Sequence, residues 1–183
     1  MASEKFEIQQ SIPVGITITV NGYSVTVKGP QGEVTKTFPH KMIKITAADG
    51  TIKLSCASAT KREVTMAYTF NAHIKNMMAG VQHGHTYKLK VCSGHFPMSV
   101  SLSGDTLSVK NFLGEKIPRT LKIKKGAHVK VEGNEVSVES SDKELAGQVA
   151  ADIEQLTRVT NRDNRIFQDG IYITNKSGKI LSS

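Results

Sequence analysis

Apolar and polar residues alternate along several short stretches of the chain, and each stretch predicts a β-strand with one buried face. The alternation is clear in ITVNGYSVTV (residues 18–27) and again in VSLSGDTLSV (residues 100–109). Successive side chains of a strand face opposite sides of a sheet, so each stretch needs a core on one side. A turn signal interrupts each stretch, Asn-Gly at residues 21–22 and Ser-Gly-Asp at residues 103–105, and predicts a hairpin.

A second hairpin is predicted downstream of each of these. The segment MIKITAADGTIKLS has its turn signal at Asp49 and Gly50, and AHVKVEGNEVSVE has it at Gly133 and Asn134. Each half of the chain therefore contains two hairpins in succession.

Two helices are predicted from their start signals and from apolar residues at helical spacing. TKRE (residues 60–63) and SDKE (residues 141–144) place a Glu three positions after a hydroxyl residue, the arrangement of a capping box. The apolar stripes that follow are Val64, Ala67, Phe70, Ile74 and Met77 in the first helix, and Leu145, Val149, Ile153 and Leu156 in the second.

The two halves also repeat a phrase. VTVKGPQGEV begins at residue 25 and LSVKNFLGEK begins at residue 107, 82 positions later. Together with the matching hairpins and helices, this predicts an α+β fold of two tandem duplicated modules, each an antiparallel sheet packed against one helix. We place the first module at residues 1–83 and the second at residues 84–183, and we expect the two phrases to form equivalent hairpin edges.

Charge narrows the choice of partner. The chain of 183 residues has 24 Lys and Arg against 16 Asp and Glu, a formal net charge of +8. Such an excess favours an anionic partner: nucleic acid, a phosphate-rich surface or anionic lipid.

The basic residues concentrate in two segments of the second half. Residues 116–130 contain no acid, and the alternation around Leu121, Ile123, Val129 and Val131 predicts a row of lysines on the opposite face of a sheet, although an ordinary solvated face would show the same pattern. The basic side chains here are Lys116, Arg119, Lys122, Lys124, Lys125 and Lys130. The second segment carries Arg158, Arg162 and Arg165 and is so polar that we expect it to become ordered only on its partner.

The sparse aromatic residues favour structured, double-stranded RNA, bound through phosphates and shape, over a single strand read by base stacking. No phosphate loop, nucleophile elbow or paired carboxylate indicates catalysis, and no cofactor or small-molecule substrate is implied. A metal centre of His83, His85, Cys92 and His95 is an alternative, but the spacing fits ordinary linker histidines and a buried free cysteine better.

The amino terminus and the hydropathy of the chain bear on its compartment. The first ten residues lack the apolar core of a signal peptide, and no apolar window is long enough to span a membrane. Two cysteines do not make a disulfide scaffold. We therefore expect a cytoplasmic protein.

Several motifs resemble one family. VTVKGPQGEV resembles the V-x-V-K-G-P-x-G signature of the L-six family of large-ribosomal-subunit proteins, called L-nine in eukaryotes. HFPMSVSL, VKNFLGEK, VEGNEV and RDNRIFQDGIYI are similar to its archaeal and eukaryotic branch. The resemblance runs from about residue 12 to residue 176.

The resemblance implies two copies of one α+β module in a non-enzymatic ribosomal protein. Its second module would bind large-subunit rRNA close to the sarcin–ricin loop and the factor-binding region, through residues 110–130 and 158–176. These two ranges add four residues to the expected rRNA contacts: Lys110, Asn111, Tyr172 and Lys176. The first module, with Lys28 and the turn at Gly29 and Pro30, would meet neighbouring ribosomal proteins or translation factors. The alternative is a free-standing module that binds structured RNA, or an adaptor, off the ribosome.

Overall fold

The computed structural model describes residues 4–181 except positions 49 and 164. The chain divides into two compact units, one ending at Gly84 and one beginning at His85. Neither of the helices described below is long and apolar enough to cross a membrane.

The first unit contains six strands and one long helix. In chain order these are β1 (Glu4–Ser11), β2 (Thr17–Asn21), β3 (Ser24–Gly29), β4 (Gly32–Thr37), β5 (Ile43–Ala48), β6 (Thr51–Ala59) and α1 (Lys61–His83). They form two antiparallel sheets, with strand orders β1-β6-β5 and β2-β3-β4. One core, which includes Val25, Leu54 and Ile74, joins both sheets to the helix.

The second unit repeats this order and extends it. It contains β7 (His85–Cys92), β8 (Ser99–Ser103), β9 (Thr106–Lys110), a 3₁₀ helix (Phe112–Gly114), β10 (Arg119–Lys122), β11 (His128–Glu132), β12 (Glu135–Ser140), α2 (Lys143–Leu156), β13 (Gly170–Lys176) and β14 (Lys179–Ile180). Its sheets have the orders β10-β9-β8 and β11-β12-β7-β13-β14. Strands β7 to β12 thus pair as β1 to β6 do, and the prediction of two tandem α+β modules is confirmed.

The prediction of one sheet per module is wrong, because each hairpin takes a different third strand. The first hairpin takes as its third strand the next one along the chain, β4 after a two-residue turn and β10 after a longer loop. The second hairpin pairs instead with the strand that opens the unit, β1 or β7. Two separate ladders result in each unit, and the helix packs on the core between them.

The hairpin loops lie close to their predicted positions. Asn21 pairs with Ser24, so the first loop consists of Gly22 and Tyr23 and begins one residue later than predicted. Gly22 has a φ of +62°, a left-handed conformation that glycine adopts without strain. The predicted loop of residues 133–134 is confirmed by the pairing of Glu132 with Glu135. The turn predicted at residues 103–105 is formed by Gly104 and Asp105, because Ser103 pairs with Thr106. The turn predicted at Asp49 and Gly50 includes Asp49, which lies outside the described residues.

The first predicted helix start is confirmed and the second shifts by one residue. The Glu63 carboxylate accepts hydrogen bonds from the backbone N–H of Thr60, at 3.0 Å, and from its hydroxyl, which closes the capping box. In α2 the cap is Asp142 rather than Ser141, because the Asp142 carboxylate accepts the Glu144 N–H at 2.9 Å. A carboxylate caps a helix as well as a hydroxyl does.

The repeated phrase lies at equivalent strand pairs of the two units, β3 with β4 and β9 with β10, but its two copies connect those strands differently. In the first copy β3 turns directly into β4, and Gln31 donates its N–H to the Val81 carbonyl of α1 at 2.8 Å. In the second copy Asn111 (φ +60°) and Leu113 (φ +48°) adopt left-handed conformations and carry the chain into the 3₁₀ helix. A loop therefore replaces the tight turn in the second unit.

Gly29 allows the close approach of the first turn to α1. A Cβ at this position would lie 2.8 Å from both the Cγ2 and the carbonyl oxygen of Val81. We expect Gly29→Ala to lower the free energy of unfolding by roughly 1–3 kcal/mol, because backbone atoms would have to move. Urea unfolding measures this change. Gly94→Ala is the control, since a Cβ at Gly94 meets nothing within 4 Å; equal effects of the two substitutions would contradict this role.

Candidate nucleic-acid interface

Three loops converge at one end of the second unit, and we call this surface the loop end. They follow β7 (residues 93–98), β9 (residues 111–118) and α2 (residues 157–169). The Asn111 side-chain amide donates to the Pro97 carbonyl at 3.0 Å and so joins the first two loops. The first and third are joined by Asp169.

Asp169 is a buried carboxylate that fixes the loop after β7 to the loop after α2. Its Oδ1 accepts the backbone N–H groups of Gly94, at 2.6 Å, and His95, at 3.0 Å, while its Oδ2 lies 2.7 Å from His95 Nδ1. Burial alone would raise the pKa of Asp169, but the hydrogen bonds from His95 and Gly94 outweigh it and hold the pKa below its ordinary value. The ionised carboxylate is therefore the form that holds the loops together.

A stack of three side chains lies beside this carboxylate. The rings of His95 and Phe167 have centroids 4.9 Å apart with an interplanar angle of 32°. The guanidinium carbon of Arg162 lies 4.8 Å from the centroid of Phe167. Arg162 is exposed, Phe167 is half-buried, and the His95 side chain is 41% exposed. The stack thus presents aromatic and guanidinium groups at the surface.

Arg119 holds the loop after β9 against the end of α2. It makes a two-point ion pair with Glu115, at 2.6 and 2.8 Å, and donates to the Leu156 carbonyl at 2.8 Å. Its guanidinium also lies 4.3 Å from the centroid of Phe112. Because these intramolecular contacts use its donors, Arg119 holds the loops in place, and we do not count it among the free cations of the surface.

Hydrogen bonds within the protein hold both ends of the segment after α2, while the expectation that Arg158, Arg162 and Arg165 become ordered only on a partner stays a prediction. Ile171 donates its N–H to the Thr157 hydroxyl at 2.8 Å, and Ile173 donates to the Glu154 carboxylate at 2.9 Å. Strand β14 pairs with only part of one edge of β13. The two bonds occupy backbone N–H groups on the rest of that edge, which would otherwise need another partner. On its other side β13 pairs with β7.

The structure brings together some of the predicted contact residues and separates others. The loop end includes Lys110, Asn111, Lys116, Arg119, Arg158, Arg162 and Arg165. Tyr172 lies next to it on β13, and its hydroxyl donates to the Asp169 carbonyl at 3.4 Å. Lys176 is exposed at the far end of the same strand. Arg165 already forms an ion pair with Asp163, at 2.7 Å.

The predicted row of lysines on one sheet face is wrong, because its two strands belong to different sheets. Strand β10 pairs with β9, whereas β11 pairs with β12. Lys122 is three residues beyond Arg119 and so about 10 Å further from the loop end. The lysines away from the loop end are Lys122, Lys124, Lys125 and Lys130. Lys124 forms an ion pair with Asp152, at 2.9 Å.

The prediction that the apolar residues of this alternating stretch face a core is confirmed. Val129 is buried in the second core, and Leu121, Ile123 and Val131 pack against it half-buried. The pattern therefore identified the faces of the strands correctly but not the sheets to which the strands belong.

Sequence reasoning missed Asp169 and the role of His95. His95 entered only as a metal-ligand alternative, and Asp169 pairs with it across 74 positions of sequence. His85 and Cys92 stand at opposite ends of β7, about 23 Å apart, and in the described ranges no three His, Cys, Asp or Glu side chains are grouped to hold a metal. His95 lies in the motif HFPMSVSL and Asp169 lies in the motif RDNRIFQDGIYI, so these two motifs are the sequence features that could have drawn attention to the pair.

The match to a family model decides the assignment. The model for ribosomal protein L6 matches residues 12–84 and, in a second copy, residues 96–170. The chain belongs to the ribosomal protein L6 family. This family consists of structural ribosomal proteins rather than enzymes, and its duplicated match agrees with the two α+β units described above.

Two similar proteins are archaeal. The large ribosomal subunit protein uL6 of Methanococcus vannielii is 44% identical over 170 residues, which cover 93% of each chain. The protein of the same name from Methanospirillum hungatei is 42% identical over 167 residues, which cover 91% of this chain and 95% of the relative. The resemblance to the L6 family, drawn from the motifs, is thereby confirmed.

The Asp169 contacts predict a specific dependence of stability on pH. Because folding lowers the pKa of Asp169, its stabilisation is complete above the unfolded pKa of about 4 and is lost as the pH falls through the folded pKa. We expect Asp169→Asn to cost roughly 1–3 kcal/mol at pH 7, and the difference from wild type to shrink toward pH 2. Urea unfolding at several pH values measures this.

The matched control for this prediction is Asp105→Asn, in the exposed loop between β8 and β9. It removes the same charge without removing a buried contact. A cost of Asp169→Asn that does not change between pH 7 and pH 2 would show that the ionised carboxylate does not hold the loops.

Proposed function

We propose that this L6-family protein is a structural constituent of the large ribosomal subunit that binds large-subunit rRNA through the loop end of its second unit. We place this contact close to the sarcin–ricin loop and the factor-binding region, in the cytoplasm. The observation that carries the proposal is that Lys110 and Lys116 lie at the same end of one unit as Arg158 and Arg162, which are distant from them in sequence.

The free cations of the loop end support a phosphate contact. Lys110, Lys116 and Arg158 have no acidic partner among the described residues, and Arg162 is engaged only with Phe167. Cations of this kind neutralise phosphates and release condensed counterions, which supplies most of the affinity for a nucleic-acid backbone. The Asp169 and Arg119 contacts fix the loops before binding, so less conformational entropy is lost on the RNA.

The first unit is better suited to contact proteins. A groove of about 710 Å³ lies between strands β2 and β5, each at the edge of its sheet. Ile18, Val20 and Ile45 give it apolar walls, Lys41 and Lys44 contribute positive charge, and Tyr23 is half-exposed at its margin. An apolar groove between two strand edges fits a protein segment better than a phosphate backbone. We therefore assign neighbouring ribosomal proteins and translation factors to this unit.

Charge removal at the loop end tests the rRNA contact. We expect the triple variant Lys110→Ala, Lys116→Ala, Arg158→Ala to bind a large-subunit rRNA fragment that contains the sarcin–ricin loop roughly a hundredfold more weakly. The slope of log affinity against log salt should fall by roughly two to three, because three phosphate contacts are lost. Filter binding at several salt concentrations measures both quantities.

A matched control removes three positive charges elsewhere on the same unit. Lys122→Ala, Lys125→Ala, Lys130→Ala changes the net charge by the same amount away from the loop end. If both triple variants lose affinity equally, then net charge and not the loop end determines binding. A larger loss in the control variant would move the rRNA contact to the part of the unit that carries Lys122, Lys125 and Lys130.

A further inference from the structure

We propose that the stack of His95, Phe167 and Arg162 binds an unpaired nucleotide of an RNA loop by stacking on its base. This inference rests on the proposed rRNA binding and specifies which part of the RNA the loop end holds. It also differs from the expectation of a purely duplex, phosphate-bound RNA, which followed from the scattered aromatic residues.

The stack is held in place before any ligand binds. Phe167 follows a turn in which its N–H donates to the Asp163 carbonyl at 2.9 Å, and the Ile166 N–H donates to the same oxygen at 3.1 Å. On the other side, the His95 ring is fixed by Asp169 at 2.7 Å. Fixed rings lose little side-chain entropy when a base stacks on them.

Arg162 extends the stack toward solvent. Its guanidinium covers Phe167 at 4.8 Å, and the residue itself is exposed. Proteins that recognise single-stranded RNA stack bases on aromatic rings and on guanidinium planes alike. A positive charge in the plane of the stack also attracts the phosphate that precedes or follows the base.

His95 adds a polar group beside the stacked base. Its Nδ1 faces the Asp169 carboxylate, and because an ionised carboxylate only accepts hydrogen bonds, Nδ1 is the donor. The second ring nitrogen is Nε2. Nε2 has no partner within the described part of the chain. A 2′-hydroxyl or a base edge offers the hydrogen bond that Nε2 lacks.

A paired duplex cannot use this arrangement. Bases within a helix are already stacked on their neighbours, and only loops, bulges and ends present a free face. When a base stacks on a protein side chain, the gain in binding free energy is large enough to measure as a change of affinity, whichever of the four bases it is. The stack therefore distinguishes a loop from a duplex, whereas Lys110, Lys116 and Arg158 attract both.

Two variants test the stack with little change of charge. Phe167→Leu keeps an apolar side chain without an aromatic face, and Arg162→Lys keeps the positive charge without the guanidinium plane. The probes are a synthetic hairpin with the sarcin–ricin loop sequence and a fully paired RNA duplex of equal length. We expect Phe167→Leu to weaken hairpin binding roughly tenfold and Arg162→Lys severalfold, with duplex binding unchanged.

Arg62→Lys is the control, because it makes the same exchange at an exposed position of α1 in the first unit, outside the loop end, and it should leave both affinities unchanged. Thermal melts of all variants identify any loss of folding, and Arg162→Lys, at an exposed position, keeps the test decisive if Phe167→Leu unfolds. Equal losses on hairpin and duplex, or no loss on either, would overturn base stacking while leaving rRNA binding in place. Wild-type protein that binds neither RNA would overturn the proposed function itself.

Discussion

The loop end depends above all on the buried carboxylate of Asp169. One carboxylate accepts two backbone N–H groups and faces an imidazole, and all three donors lie on a loop 74 or 75 positions earlier in the chain. Hydrogen bonds to an ionised group are stronger than those between neutral groups, and this one is shielded from water. Without it, His95 would lose the carboxylate that fixes its ring beside Phe167, and the loop after β7 would lose three hydrogen bonds to the end of the loop after α2.

The two units show how a duplicated module can keep its core and change its surface. Strands β7 to β12 of the second unit pair in the same order as strands β1 to β6 of the first, and one helix follows in each unit. The tight turn at Gly29 packs on its own helix in the first unit. The second unit replaces that turn with the left-handed residues Asn111 and Leu113 and gains β13, and these changes contribute two of the three loops of the loop end.

Local features of the fold were predictable from the sequence, whereas long-range pairings were not. Alternation located Leu121, Ile123 and Val129 on the inner faces, and the capping box at Thr60 located the start of α1. Alternation does not state which strand pairs with which, so β10 and β11 were wrongly joined into one basic face. The contact of Asp169 with His95 had no local signal either, and this explains why the basic segments were found but their common anchor was not.

Chemical reactivity of lysines tests most directly whether the loop end is the RNA-binding surface. Acetylation followed by mass spectrometry would be compared between intact large subunits and the free protein. If the loop end contacts rRNA, Lys110 and Lys116 lose reactivity in the subunit, while Lys122 and Lys125 remain as reactive as in the free protein. Protection of Lys122 and Lys125 with Lys110 and Lys116 still reactive would contradict the account.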